Sequence, residues 1–333
     1  MADKKGKFIV KQKTSFAAIM AGDITELGES DLCFQNENDI VQFEYVKPEE
    51  DKKYQVEPGT FILTETSGGL ELRKFEMKRR ELLESITNTA AIMHEANTFF
   101  KKLHVYEKLN RPKKRGVLLY SNPGMGKTSA IEKVSLDLID IDPGTVVIVW
   151  PTSEIDADSI VRFLSYRSEY TKECTRLILV IEDIGGGEKE GTPSRSAVDS
   201  GLLNLLDGVG AVFKLPTFII ATTNHPENLL ASLADRPGRF DLMLKLQAPS
   251  HDEKILLLGF IAKRALTHDE KIALGDKKVA DFSIAHLEEV AVRAELHDKT
   301  YVEVIKELIA HKERFEKDFE DKNRSLGISG FRD

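Results

Sequence analysis

The chain has 333 residues, 41% hydrophobic and 31% charged, with a net charge of -8. That size and balance fit a globular protein of two or three domains, and the negative charge argues against indiscriminate nucleic-acid binding. The two cysteines, Cys33 and Cys174, lack metal-ligand spacing and read as reduced thiols, no apolar run nears the ~18 residues of a membrane helix, and the N-terminus has no apolar secretory core, so the expected compartment is cytoplasmic.

In chain order, the first ~75 residues read as β-rich. "KFIVKQ", "DIVQFEYV" and "GTFILTET" carry β-branched and aromatic residues between turn formers. "TFILTETSGGLELRKF" reads as a hairpin turning at Ser67-Gly68-Gly69. A helical stretch is expected from about Glu76 to Leu109, with Leu82, Leu83, Ile86, Ala90, Met93 and Leu103 on one face.

The next part alternates between strands and helices. "GVLLY", "TVVIVW", "LILVIE" and "TFIIATTN" are short apolar strands, with helices from about Lys127 and near Ser159 to Tyr166. Such alternation implies a parallel sheet covered on both faces. From Ser250 the pattern turns helical. Ser250 with Glu253, and Thr300 with Glu303, stand at capping-box spacing. The expected fold class is α/β, a parallel sheet with helices on both faces, a C-terminal helical lid and a β-rich N-terminal domain. The expected boundaries are 1–75 for the β-rich domain, 76–249 for the α/β core, 250–320 for the lid and 321–333 for a tail.

"YSNPGMGKTSA" lies between a strand and a helix. Small residues there let backbone N–H groups point at phosphate oxygens, and the helix N-terminus adds partial positive charge. Candidate phosphate-binding residues are Asn122, Pro123, Gly124, Met125, Gly126, Lys127, Thr128 and Ser129. Lys127 is expected to reach the β- and γ-phosphates, and the Thr128 hydroxyl to ligate Mg²⁺. Ser121 occupies the first glycine position of the motif, and is expected to form the turn at some conformational cost.

Glu182 and Asp183 end the strand "LILVIE". Successive strand residues face opposite sides, so the two acids should do different work. Glu182 is assigned to the Mg²⁺ side with Thr128, and Asp183 to orienting and deprotonating the attacking water.

Residues from about Lys101 to Thr300 resemble an AAA+ ATPase of the AAA clade. The resemblance rests on "YEKLNRPKKRGVLLYSNPGMGKTSAI" and on "FIIATTNHPENLLASLADRPGRFD". It implies that Asn224 is a polar sensor of the γ-phosphate. It also implies that Arg236 and Arg239 are arginine fingers acting on the next subunit's nucleotide, within a ring that is a hexamer by resemblance. The Glu-Asp order and "SGLLNLLDGV" are similar to the mitochondrial Rieske-protein translocase branch, without its membrane span. The cofactors implied are ATP and Mg²⁺, and the partners are other copies of the chain and a protein substrate or adaptor.

Three segments leave alternatives open. Trp150 packs in the core or serves a pore. "GGGEKEGTPSRSA" is a second pore loop or a surface loop. "RPKKR" is a solvated loop or touches nucleic acid. The expected function is ATP-driven remodelling or translocation of a protein or assembly. A nucleic-acid motor or loader and a slowly hydrolysing ATP-gated scaffold are the alternatives.

Overall fold

The computed structural model describes residues 33–36, 39–42, 54–66, 69–152, 155, 157–185, 202, 205–206, 213–226 and 239–325. The expected strand "KFIVKQ", the turn residues Ser67 and Gly68, Arg236 and most of "GGGEKEGTPSRSA" lie outside them. The chain divides into two compact units, the first essentially residues 1–53 and the second the remainder. In the first, β1 (Cys33–Asn36) and β2 (Asp39–Gln42) pair antiparallel.

The second unit holds the main sheet. Its elements begin with β3 (Tyr54–Val56), β4 (Gly59–Thr66) and β5 (Gly69–Lys74). Helices α1 (Glu84–Thr87), α2 (Thr89–Lys101) and α3 (Leu103–Lys108) follow. Then come β6 (Lys114–Tyr120), α4 (Lys127–Ile141), β7 (Thr145–Pro151) and α5 (Ala157–Arg162). A π-helical turn over Phe163–Arg167 leads to β8 (Ser168–Tyr170), and then to β9 (Arg176–Glu182), β10 (Thr217–Thr223) and β11 (Leu242–Lys245). The sheet order is β11-β6-β10-β9-β7-β4-β5, and β11, β6, β10, β9, β7 and β4 run parallel. The mixed α/β architecture expected from the alternation is therefore present. A separate short pair joins β3 to β8.

The strands read as unbroken apolar runs because both of their faces are buried. Along β9, Leu177, Leu179 and Ile181 enter one core, and Ile178 and Val180 enter the other. Ile219 and Ala221 of β10 share the first core, while Phe218 and Ile220 share the second. The second core is closed by α2 and α4 through Ile92, Phe99, Ile131, Val134 and Leu138. Each fully buried aliphatic or aromatic side chain contributes about 1.5–3 kcal/mol.

Two sequence expectations need correction here. The helical stretch expected from Glu76 to Leu109 starts only at Glu84 and is three helices. Asn88 sits at φ 56, a left-handed turn that asparagine tolerates and that ends α1. Residues 75–83 carry no regular structure. They are strapped to α4 by charge pairs, Arg79 to Asp140 at 2.8 Å and Arg80 to Glu132 at 3.8 Å. The hairpin grouped with the N-terminal region instead extends the main sheet beside β7.

The C-terminal helices expected to form a lid are α6 (His251–Ala262), α7 (His268–Leu274), α8 (Ile284–His297) and α9 (Tyr301–Ser325), around a core of their own. The capping box at Ser250 and Glu253 forms, and Thr300 exchanges bonds with Glu303. Helix α9 runs through Ser325, so the first residues of the expected tail are helical. Sequence reading missed α7 and β11. Thr267 and Glu270 form a capping box that marked α7, whereas β11 is four residues long and half exposed.

Candidate functional site

Parallel strands bring their carboxyl ends to one edge of the sheet, where ligands bind in open α/β folds. Strand β6 delivers Ser121, β7 delivers Thr152, β9 delivers Glu182 and Asp183, and β10 delivers Asn224. The loop after β6 opens directly into α4. Gly126 precedes that helix at φ 81, and no side chain caps its first turn, so the N–H groups there face the cleft available to an anion. Gly124 is held at φ 78, and a Cβ there would lie 2.8 Å from Ser283 Oγ. Glycine is required at this position both for conformation and for the close approach of the lid.

Ser121 departs from expectation. It is not among the described residues of positive φ, so it bears no conformational penalty. It is buried, and its hydroxyl donates to Asn122 O at 2.8 Å and accepts from Lys127 Nζ at 2.7 Å. Lys127 also donates to Ser121 O at 3.1 Å, Asn122 O at 3.3 Å and Asn224 Oδ1 at 2.6 Å. Burial lowers the Lys127 pKa, and the Asp183 charge opposes that shift.

Asn224 Nδ2 donates to Asp183 Oδ1 at 2.9 Å. Lysine can only donate and carboxylate only accept, so this chain fixes which way the amide faces. The structure thus joins Lys127, Asn224 and Asp183, which the sequence places 97 and 41 residues apart. Asp183 has φ 53 and is exposed. That left-handed turn breaks the alternation of a regular strand, so its direction does not follow from simple opposition to Glu182. Glu182 is partly buried, and its pKa is raised by burial, then by the Glu132 and Asp183 charges. Hydroxyl and carboxylate oxygens are the donors that Mg²⁺ favours. Glu182, desolvated and beside Glu132, is an acid whose charge a cation would stabilise. The donor set of Thr128 and Glu182 therefore fits Mg²⁺.

A cavity of about 300 Å³ is lined by Pro123, Gly124, Met125, Gly126, Lys127, Thr128 and Ser129 together with Asn224, Ile284, Ala285 and Glu288. Lid and loop touch directly there, with Ala285 N donating to Gly124 O at 3.1 Å. An adjoining, mainly apolar pocket is lined by Leu82, Leu83, Ile86, Leu257, Phe260 and Ile284, with Glu81, Thr87 and Glu288 also in its wall. Sequence reading missed this pocket. Its walls come from the irregular strap, α1, the start of α4 and the C-terminal helices, which only the tertiary fold brings together.

The remaining assignments divide. Arg236 lies outside the described residues, and Arg239 is buried and makes contacts within the chain. Trp150 is buried, and its indole donates to Ile155 O at 2.9 Å, so it packs in the core. In the basic run, Lys113 pairs with Glu107 at 2.6 Å, and Arg115 pairs with Glu95 at 2.6 Å and Asp241 at 2.9 Å. Much of its charge is thus neutralised internally. Among the described residues, no helix is long and apolar enough to cross a membrane.

Residues 117–248 match the family model described as "ATPase family associated with various cellular activities (AAA)". The Arabidopsis thaliana protein AAA-ATPase At2g18190 is 31% identical over 169 residues, covering 46% of this chain and 32% of that protein. AAA-ATPase At3g28570, mitochondrial, from the same organism, is 28% identical over 155 residues, covering 42% of this chain and 32% of its own. The human ATPase family gene 2 protein homolog A is 27% identical over 186 residues, covering 53% of this chain and 20% of its own. The chain spans about a third of the length of these plant relatives and a fifth of the human one.

Proposed function

We propose that this chain, whose residues 117–248 match the AAA family model, binds ATP in the P-loop cleft, hydrolyses it, and uses the cycle to remodel or translocate a protein or an assembly. The observation that carries this reading is the bonded chain Lys127–Asn224–Asp183 at the mouth of the cleft. It links a phosphate-binding cation to a carboxylate able to hold water, through an amide that contacts both.

The residues then divide the work. Residues 122–129 and the first turn of α4 receive the phosphates. Lys127 exchanges its bonds with Ser121, Asn122 and Asn224 for the β- and γ-phosphate oxygens. Asn224, released from Lys127, turns toward the γ-phosphate while still holding Asp183. Asp183 orients the attacking water and accepts its proton. The apolar pocket of Leu82, Leu83, Ile86 and Ile284 seats the base. Thr128 and Glu182 hold Mg²⁺, which when bound screens the charge of the phosphate oxygens.

Arg236 is the finger that acts on a neighbour's nucleotide in a ring, a hexamer by resemblance, whereas Arg239 is buried within its own chain and is not given that role. Residues 1–75 select the protein cargo, 76–249 hydrolyse ATP and 250–320 move as the lid. The internal pairing of Lys113 and Arg115 gives a nucleic-acid motor no support.

The test is a pair of substitutions. Asp183→Asn should bind ATP normally while kcat falls about 10²–10⁴-fold, the usual worth of a general base. Glu182→Gln should raise the Mg²⁺ concentration needed for half-maximal turnover. Normal turnover by Asp183→Asn, with Glu182→Gln inactive, would reverse the two roles.

A further inference from the structure

We propose that Thr222, assisted by Thr152, is a positioning residue for Asp183. The inference rests on reading the cleft as an ATPase site. Strand β9 pairs with β10 as far as Ile181 opposite Ala221, and with β7 as far as Glu182 opposite Pro151. Beyond that point the backbone ladder stops, and Asp183 turns to φ 53. A residue with a Cβ enters that region only when its surroundings hold it there.

Side-chain hydroxyls do the holding. Thr222 Oγ1 accepts the Asp183 N–H at 3.0 Å. From the opposite side, Thr152 Oγ1 lies 2.8 Å from Glu182 O and 3.1 Å from Asp183 O, as donor to both. The carbonyl of Thr222 then takes the Ile184 N–H at 2.8 Å, which restores pairing one residue later. The peptide groups before and after Asp183 are thus fixed from both neighbouring strands. The left-handed turn they fix is the one that leaves Asp183 Oδ1 2.9 Å from Asn224 Nδ2. Thr222 is 6% exposed and does not line the cleft. It acts on the reaction through Asp183.

Thr222→Val keeps the shape and β-branching and removes the acceptor, while Thr222→Ser keeps the acceptor. ATP turnover, ATP affinity and melting temperature are measured on the full chain for both variants. Thr222→Val is expected to lose about 10- to 100-fold in kcat, the scale set by small misplacements of reacting groups. Its ATP Kd should stay within about twofold of wild type, a catalytic loss separated from ground-state binding. Thr222→Ser should restore turnover. In the Asp183→Asn background, Thr222→Val should lower turnover no further. A Thr222→Val protein as fast as wild type overturns the proposal. So does parallel loss of ATP binding and melting temperature in both Thr222 variants, which marks a purely structural role.

A wild-type protein that binds but does not hydrolyse ATP defeats the ATPase reading instead. The positioning claim is then decided by a crystal structure of Thr222→Val. Asp183 at negative φ and no longer hydrogen-bonded to Asn224 supports it. Asp183 still left-handed and still bonded to Asn224 overturns it.

Discussion

At the scale of single residues, the two acids differ by environment more than by length. Glu182 is desolvated and faces Glu132, and both effects raise its pKa. An acid with a raised folded pKa binds protons more tightly in the native state than when unfolded. Its effect on stability therefore grows more favourable as pH falls through the raised value, and is unfavourable above it. Glu182→Gln removes that buried charge, so it should raise the melting temperature of the nucleotide-free protein at neutral pH. A gain of about 1 kcal/mol corresponds to roughly 2–4 °C, read by calorimetry without Mg²⁺. Asp183 is exposed and turned onto Asn224, so the same change there should leave the melting temperature near its starting value. Ser121 shows how a motif position can mislead. It replaces a glycine in the pattern, yet its φ is ordinary and its hydroxyl holds Lys127.

At the scale of elements, the junction of lid and phosphate loop rests on the start of α8. Ser283 caps that helix, and His286 completes a capping box in which Nδ1 accepts from Ser283 N at 3.2 Å and lies 2.7 Å from Ser283 Oγ. The bond from Ser283 N requires an unprotonated Nδ1. Burial lowers the His286 pKa, Asp281 opposes the shift and Lys312 adds to it. A histidine with a depressed folded pKa gives stability that is complete above its unfolded value of about 6.5. That stability is lost as pH falls through the folded value. ATP affinity should therefore weaken as pH falls below about 6.5. Glutamine is an ordinary capping-box residue without a titration, so His286→Gln should keep the affinity and flatten the pH profile in isothermal titration. Ser283→Ala should cost about 1 kcal/mol of stability, the usual effect of removing an N-cap.

At the scale of the whole molecule, the proposed ring makes a test by mixing. Arg236→Ala and Asp183→Asn should each be inactive alone. If each site takes Asp183 from one subunit and Arg236 from the next, mixed assemblies contain some complete sites and should regain a measurable part of wild-type turnover. No recovery on mixing, with co-assembly shown by sedimentation, would place both residues in one self-contained site. The β4–β5 extension widens the main sheet beyond β7. It leaves the sheet edge beside β7 and continues into the strap over α4, where Arg79, Arg80 and Glu84 meet Asp140, Glu132 and Lys133. Loosening that strap with Arg79→Ala and Arg80→Ala together should change stability by less than about 1 kcal/mol, since exposed pairs are weak.

The sequence by itself determined the parallel core strands, the glycine-rich turn into α4, the acids at a strand end and the capped C-terminal helices. Each depends on neighbours close in the chain: apolar runs, glycine at a turn, a capping pair three residues apart. Only the tertiary structure decided how those pieces meet. It set the break at Asn88, the hairpin beside β7, the Lys127–Asn224–Asp183 chain, the apolar pocket under the lid and the left-handed turn at Asp183. These depend on hydroxyls, amides and side chains brought together from distant segments, and a local pattern carries no information about which distant partner will be present. The Glu-Asp order was legible from the chain. The direction in which Asp183 points was not, because Thr152 and Thr222 hold it from strands on either side.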